Sequence, residues 1–179
     1  ITGATTLNLT GDVALTIKDP LDASLDVIDA SAFTGNLNLT TANDASTPDA
    51  TVASVDVVDL TLTGGSGNDT IDVSNNAADN EISVSGGAGN DTITIGQILA
   101  NGSATAAADT VDGGAGTDTL VGDIDLFDSA TASFSTTATA LTGVSGFEKL
   151  KVNGFGNEAN TLNIAKIGSF ATLELGSAI

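Results

Sequence analysis

The sequence predicts an all-β chain wound as a right-handed parallel β-helix, a solenoid close to a β-roll. Short runs alternate apolar and polar residues, so each presents one face to a core and one to solvent. Clusters of Gly, Asn, Asp and Ser separate these runs and mark turns. A glycine-rich nonapeptide recurs three times.

In chain order, the expected strands begin with residues 6–10 (TLNLT), 13–17 (VALTI), 25–29 (LDVID) and 37–40 (LNLT). Residues 60–63 (LTLT), 70–73 (TIDV), 81–84 (EISV) and 92–95 (TITI) follow. Residues 119–121, 148–152 (EKLKV), 161–164 (TLNI) and 171–175 (ATLEL) complete the set. No run keeps a 3.6-residue period beyond about two helical turns. A β-sandwich also has many short strands, but its core usually contains bulky aromatics, and the six Phe are the only large rings here. Stacked coils suit small β-branched side chains better. A coil of about 22 residues, rising ~4.8 Å per strand, makes roughly eight coils and a rod of ~40 Å.

Three textures divide this continuous solenoid. Residues 1–59 form N-terminal coils with longer turns that contain Pro20 and Pro48. Residues 60–124 hold the glycine repeats, and residues 125–179 form C-terminal coils or a cap with Phe134, Phe147, Phe155 and Phe170. With neither a start signal nor a stop signal, the chain reads as part of something longer.

Composition narrows the chemistry. The chain has 23 acidic residues against 4 basic ones, a formal charge of −19. Of the acids 19 are Asp, the short carboxylate that suits turns and hard cations. Such a chain repels nucleic acid and anionic membranes and attracts divalent ions. Without those ions the same charge favours disorder. Absence of Cys excludes disulfides and thiolate ligands, and absence of His removes the commonest general base and most zinc chemistry. No apolar run reaches the roughly 18 residues of a membrane span.

The repeated nonapeptide stands at residues 64–72 (GGSGNDTID), 86–94 (GGAGNDTIT) and 113–121 (GGAGTDTLV). All three fit G-G-x-G-x-D-x-U-x, with Ile71, Ile93 and Leu120 as the large aliphatic. Glycine permits positive φ and lets carbonyls approach a cation without an intervening Cβ. The Asp supplies a hard charged oxygen, and the aliphatic anchors the next strand in the core. One turn offers about half a coordination shell, so stacked turns must share ions. Calcium, with 6 to 8 oxygens, suits this better than magnesium. Hairpin turns would explain the glycines but not the recurring Asp and aliphatic pair.

These residues resemble the RTX repeat of the hemolysin-type calcium-binding proteins. The resemblance implies a parallel β-roll, two or more bound Ca2+ ions, type I secretion and folding outside the cell. It also implies a ligand set, with carbonyls from motif positions one and three of the lower turn and two and four of the upper. One ion then lies among Gly64, Ser66, Asp69, Gly87, Gly89 and Asp91. A second lies among Gly86, Ala88, Asp91, Gly114, Gly116 and Asp118. The starts lie 22 and 27 residues apart rather than nine. Residues 75–83 (NNAADNEIS) and 104–112 (ATAAADTVD) align between them as worn copies without the glycines. Calcium is therefore expected on one side of the coil, in a helix wider than the usual roll. Asn80 and Asp109 fill the Asp slot of the worn copies, and Asp44 and Asp112 are further carboxylates near the stack.

Residues 28–35 (IDASAFTG), 146–152 (GFEKLKV) and 161–175 look similar to segments of large RTX surface-layer (S-layer) proteins and adhesins. No enzyme is expected. Paired acids such as Asp56/Asp59 or Asp123/Asp125/Asp128 read as solvated turns, and residues 123–128 lack the Gly and Glu of an EF-hand. There is no G-x-S-x-G and no Walker loop. Lys149 and Lys151 read as a solvated strand face beside Glu148. The leading expectation is a calcium-binding structural module of a secreted bacterial S-layer, at the cell surface. Its partners would be other copies in a lattice, neighbouring domains of its own chain and cell-surface polysaccharide. The rivals are the stalk of an RTX adhesin and the secretion tail of an RTX protease or lipase.

Overall fold

The structure, a computed structural model, describes residues 4–22, 24–41, 60–75, 82–96, 109–123, 143–154 and 170–176. Within these residues the chain is all strand, with no helix. The strands are β1 (Thr6–Gly11), β2 (Leu15–Thr16), β3 (Val27–Phe33), β4 (Leu37–Thr40), β5 (Leu60–Thr63) and β6 (Thr70–Asp72). They continue with β7 (Ile82–Ser85), β8 (Thr92–Thr94), β9 (Thr110–Asp112), β10 (Thr119–Asp123), β11 (Val144–Ser145), β12 (Lys149–Asn153) and β13 (Thr172–Leu175).

Odd-numbered strands build one sheet in the order β1-β3-β5-β7-β9-β11. The other runs β13-β12-β10-β8-β6-β4-β2. Every pairing between these strands is parallel. A hairpin would pair consecutive strands antiparallel, so the hairpin reading of the glycine turns fails for the described residues. Each coil instead gives one strand to each sheet, an arrangement consistent with a β-roll. Both sheets continue through the changes of texture near residues 60 and 125, because β3 pairs with β5 and β10 with β12.

Register explains the core. In one sheet Leu7, Ile28, Leu62, Val84, Val111 and Val144 stack in turn. In the other Leu39, Ile71, Ile93, Leu120 and Leu150 stack. These aliphatics belong to one buried cluster, with Leu7 and Val144 packed at its margin. Full burial of one such side chain contributes about 1.5–3 kcal/mol. The eighth motif position thus anchors each glycine turn to the core, as its periodicity implies.

The coil length is less regular than the sequence suggests. Along the carboxylate column, neighbouring coils are 32, 22, 27 and 30 residues apart. Among the described residues six coils place a strand in both sheets, with β13 alone above them, rather than eight uniform coils. Among the coils that carry the glycine turns the variation falls on one side. Residues 64–69, 86–91 and 113–118 each connect the first sheet to the second in six residues. The return takes 9 residues after β6 and 15 after β8. Length added to a return connection leaves the glycine turns in register. Strand limits also move: β3 starts two residues later than expected and runs on to Phe33, and β2 shrinks to Leu15–Thr16. The expected strand at 161–164 lies outside the described residues, as do Pro48, Phe134 and Phe155.

Candidate metal centre

The six-residue turns stack directly upon one another and bring Asp69, Asp91 and Asp118 into a column. Their exposures are 1%, 1% and 0%, which is rare for an unpaired carboxylate. Each reaches back one coil. Asp69 Oδ1 accepts the Leu37 N–H at 2.9 Å, Asp91 Oδ1 the Asp69 N–H at 2.8 Å and Asp118 Oδ1 the Asp91 N–H at 2.7 Å. Glu148 extends the column, its Oε2 accepting the Asp118 N–H at 2.8 Å. Hydrogen bonds to a charged acceptor are the stronger kind, contributing about 1.5–3 kcal/mol each.

A second ladder runs beside the first in the opposite sense. Asn36 Oδ1 accepts from Asn68 N–H at 3.0 Å, Asn68 Oδ1 from Asn90 N–H at 2.7 Å and Asn90 Oδ1 from Thr117 N–H at 2.8 Å. In the sequence Asn36, Asn68 and Asn90 stand only as turn residues. The signal was present: Asn fills the fifth motif position in two of three copies and recurs at residue 36.

Glycine is required for two different reasons. At Gly87 and Gly114 φ is +101° and +96°, a region L side chains rarely adopt. At Gly86 the reason is space. A Cβ there would sit 2.5 Å from Asp91 Oδ2 and 2.5 Å from the Gly113 carbonyl of the next turn. Positive φ is therefore not general to the motif, since the first turn has none.

The carbonyls have definite directions. Gly86 O faces Gly64 and Gly113 O faces Gly86, each pointing back to the earlier coil. Gly65 O and Gly67 O face Gly87 and Gly89, and Gly87 O and Gly89 O face Gly114 and Gly116, each pointing forward. Position one thus points toward the earlier turn, and positions two and four toward the later. Gly65 O and Gly87 O also accept the Ala88 and Ala115 N–H groups at 2.9 and 2.8 Å. Ser66 and Ala88 occupy the exposed third position.

The column is electrostatically incomplete. Burial raises the pKa of all three aspartates, and that of Asp91, also repelled by Asp69 and Asp118, reaches about 6. Asp69 Oδ2 accepts the Gly65 N–H at 3.0 Å. Asp91 Oδ2 and Asp118 Oδ2 are buried without any hydrogen-bond partner. Leaving a buried polar atom unmatched costs about 1–3 kcal/mol, more when charged. Among the described residues no three carboxylates gather closely enough to hold a metal by themselves. A cation here must therefore draw on carbonyl oxygens, and the glycine turns present them on both sides. Such a donor set, all hard oxygen, fits calcium.

The other acids differ. Asp109, in a worn copy, is 2% exposed and its Oδ1 accepts the Ile82 N–H at 2.9 Å. That repeats the column's geometry on the return side of the coil. Asp112 is exposed and accepts from Ser145 Oγ at 3.0 Å. Asp29 and Asp72 each accept the N–H of the serine two residues on, Ser31 within β3 and Ser74 after β6. Asp44, Asp56, Asp59, Asn80, Asp125 and Asp128 lie outside the described residues.

Stacked parallel coils with acidic, glycine-lined turns on a common side define a repeat protein whose turns are its site. The RTX calcium-binding nonapeptide repeat matches in four copies, over residues 61–75, 83–95 and 103–125. The chain carries RTX repeats, and these are calcium-binding repeats. The last stretch takes in residues 104–112, the worn copy that contains Asp109, as well as the third glycine turn. No curated protein and no solved structure matches the chain.

Proposed function

We propose that the chain is a structural, non-catalytic, calcium-binding module of a secreted bacterial S-layer protein, wound as a right-handed β-helix. The observation that carries the calcium role is the pair of buried, unpartnered oxygens, Asp91 Oδ2 and Asp118 Oδ2, inside RTX repeats. Asp69, Asp91 and Asp118 would hold the ions together with turn carbonyls. Gly64, Ser66, Gly86, Ala88, Gly87, Gly89, Gly114 and Gly116 are the candidates. A bound cation neutralises the column and cross-links successive coils. It supplies no reaction chemistry here; its effect is rigidity. The low calcium of a cytoplasm and the higher level outside would confine folding to the cell surface.

Two features support an S-layer. Residues 28–35, 146–152 and 161–175 resemble segments of such proteins. Among the described residues β13, last in the second sheet, shows Leu173 and Leu175 to solvent, apolar surface on a strand suited to further pairing. Electron microscopy of the full-length protein tests this. Ordered sheets in calcium that disperse on chelation are expected. Isolated rods at every calcium level would instead indicate a stalk, as in an adhesin.

A further inference from the structure

The glycine motif ends at the third turn, yet the carboxylate column does not. Above residues 113–118 the next turn, residues 146–148, has three residues in place of six. It lies outside the stretches that match the calcium-binding repeat. Even so, Glu148 takes the place an Asp would occupy, accepting the Asp118 N–H at 2.8 Å.

The gap below this short turn repeats features of the gap above Gly86. There, Asp91 Oδ2 and the Gly113 carbonyl both lie 2.5 Å from the position of a Gly86 Cβ. One coil on, the Gly146 carbonyl and the Asp118 Cβ both crowd the position of a Gly113 Cβ. Asp118 Oδ1 is spent on the Asp91 N–H of the coil below. Its Oδ2 is left without a partner, on a side chain with no exposed surface. Asp112 Oδ1 abuts Gly146 at the rim. Repulsion from Glu148 and Asp112 adds to burial in raising the Asp118 pKa.

We propose that a calcium ion binds between the third glycine turn and the contracted turn 146–148, held by Asp118 Oδ2 and the Gly146 carbonyl. Glu148 and Asp112 supply the flanking negative charge, and water completes the shell. Glu148 is a positioning residue: it fixes the Asp118 peptide and provides charge. By contrast Asp69 Oδ2, already matched by the Gly65 N–H, leaves the lowest gap the weakest of the three. The proposal rests on calcium binding by the RTX turns and extends it to a turn without the motif.

Equilibrium dialysis of the chain with radiolabelled calcium, alongside circular dichroism, tests it on Glu148→Gln, Asp112→Asn and Asp91→Asn. Gln keeps an acceptor for the Asp118 N–H and removes only the charge. Glu148→Gln is expected to weaken one ion about tenfold, with the others and the saturated dichroism spectrum unchanged. Asp112→Asn, an exposed change, is expected to weaken the same ion several-fold. Should Glu148→Gln not fold, Asp112→Asn decides alone. Wild-type affinities in both variants, with Asp91→Asn impaired, would overturn the additional site while preserving the general reading. No calcium bound by the wild type would overturn both.

Discussion

The carboxylate of Asp91 receives the backbone N–H of Asp69 at 2.8 Å, across 22 residues of sequence. One oxygen of each column carboxylate thus fixes coil to coil, and on Asp91 and Asp118 the other is left for a ligand. Ion binding by these side chains would be linked directly to folding.

Asp91 occupies the middle of the column, with Oδ1 on the Asp69 N–H and Oδ2 left unpartnered near Gly86 and the Gly113 carbonyl. Asp91→Asn is expected to raise the calcium midpoint of folding by more than tenfold, or over about 1.4 kcal/mol. Asp69→Asn, whose Oδ2 is already matched by the Gly65 N–H, should have the smallest effect of the three column variants. Equal shifts from all three, measured by dichroism during calcium titration, would contradict that order.

The pH dependence has opposite signs with and without calcium. Burial raises the folded-state pKa of Asp69, Asp91 and Asp118, with Asp91 near 6. Protonation therefore stabilises the ion-free fold. That contribution is complete below about pH 4, the usual carboxylate range, and is lost as pH rises through about 6. Melting in EGTA should show a Tm that falls between pH 4.5 and 6.5. In saturating calcium it should rise, because the cation favours the ionised form. Scattering must be followed near the pI of 4.1.

Gly114→Ala meets two obstacles, φ of +96° and a clash with the Gly87 carbonyl. It is expected to cost more than the roughly 1 kcal/mol of ordinary helix-interior glycine effects. Ala88→Ser, which copies Ser66 at the exposed third position, should be neutral. Thermal melts in calcium compare the two directly.

Ile93→Ala removes a side chain with no exposed surface from the centre of its aliphatic stack. A loss of about 2–5 kcal/mol is expected. For a chain of this size that lowers Tm by roughly 2–4 °C per kcal/mol.

The parallel coils and the Asp column were legible because they follow from period and spacing. Alternation put Leu39, Ile71, Ile93 and Leu120 on one face, and repetition aligned Asp69, Asp91 and Asp118. Coil length was not legible. Return connections face no register constraint, so their length carries no pattern. Glu148 escaped notice beside Lys149 and Lys151, since its three-residue turn breaks the motif's spacing while three-dimensional stacking restores its place. Asn68 and Asn90 were visible as turn formers, but their ladder needs the next coil to supply the donor.

The most direct measurement is far-ultraviolet dichroism of the purified chain, dialysed against EGTA and then titrated with calcium. A cooperative gain of strand signal and a higher Tm are expected as calcium is restored. An unchanged spectrum and an unchanged melting point from EGTA to saturating calcium would rule out calcium as the link between coils.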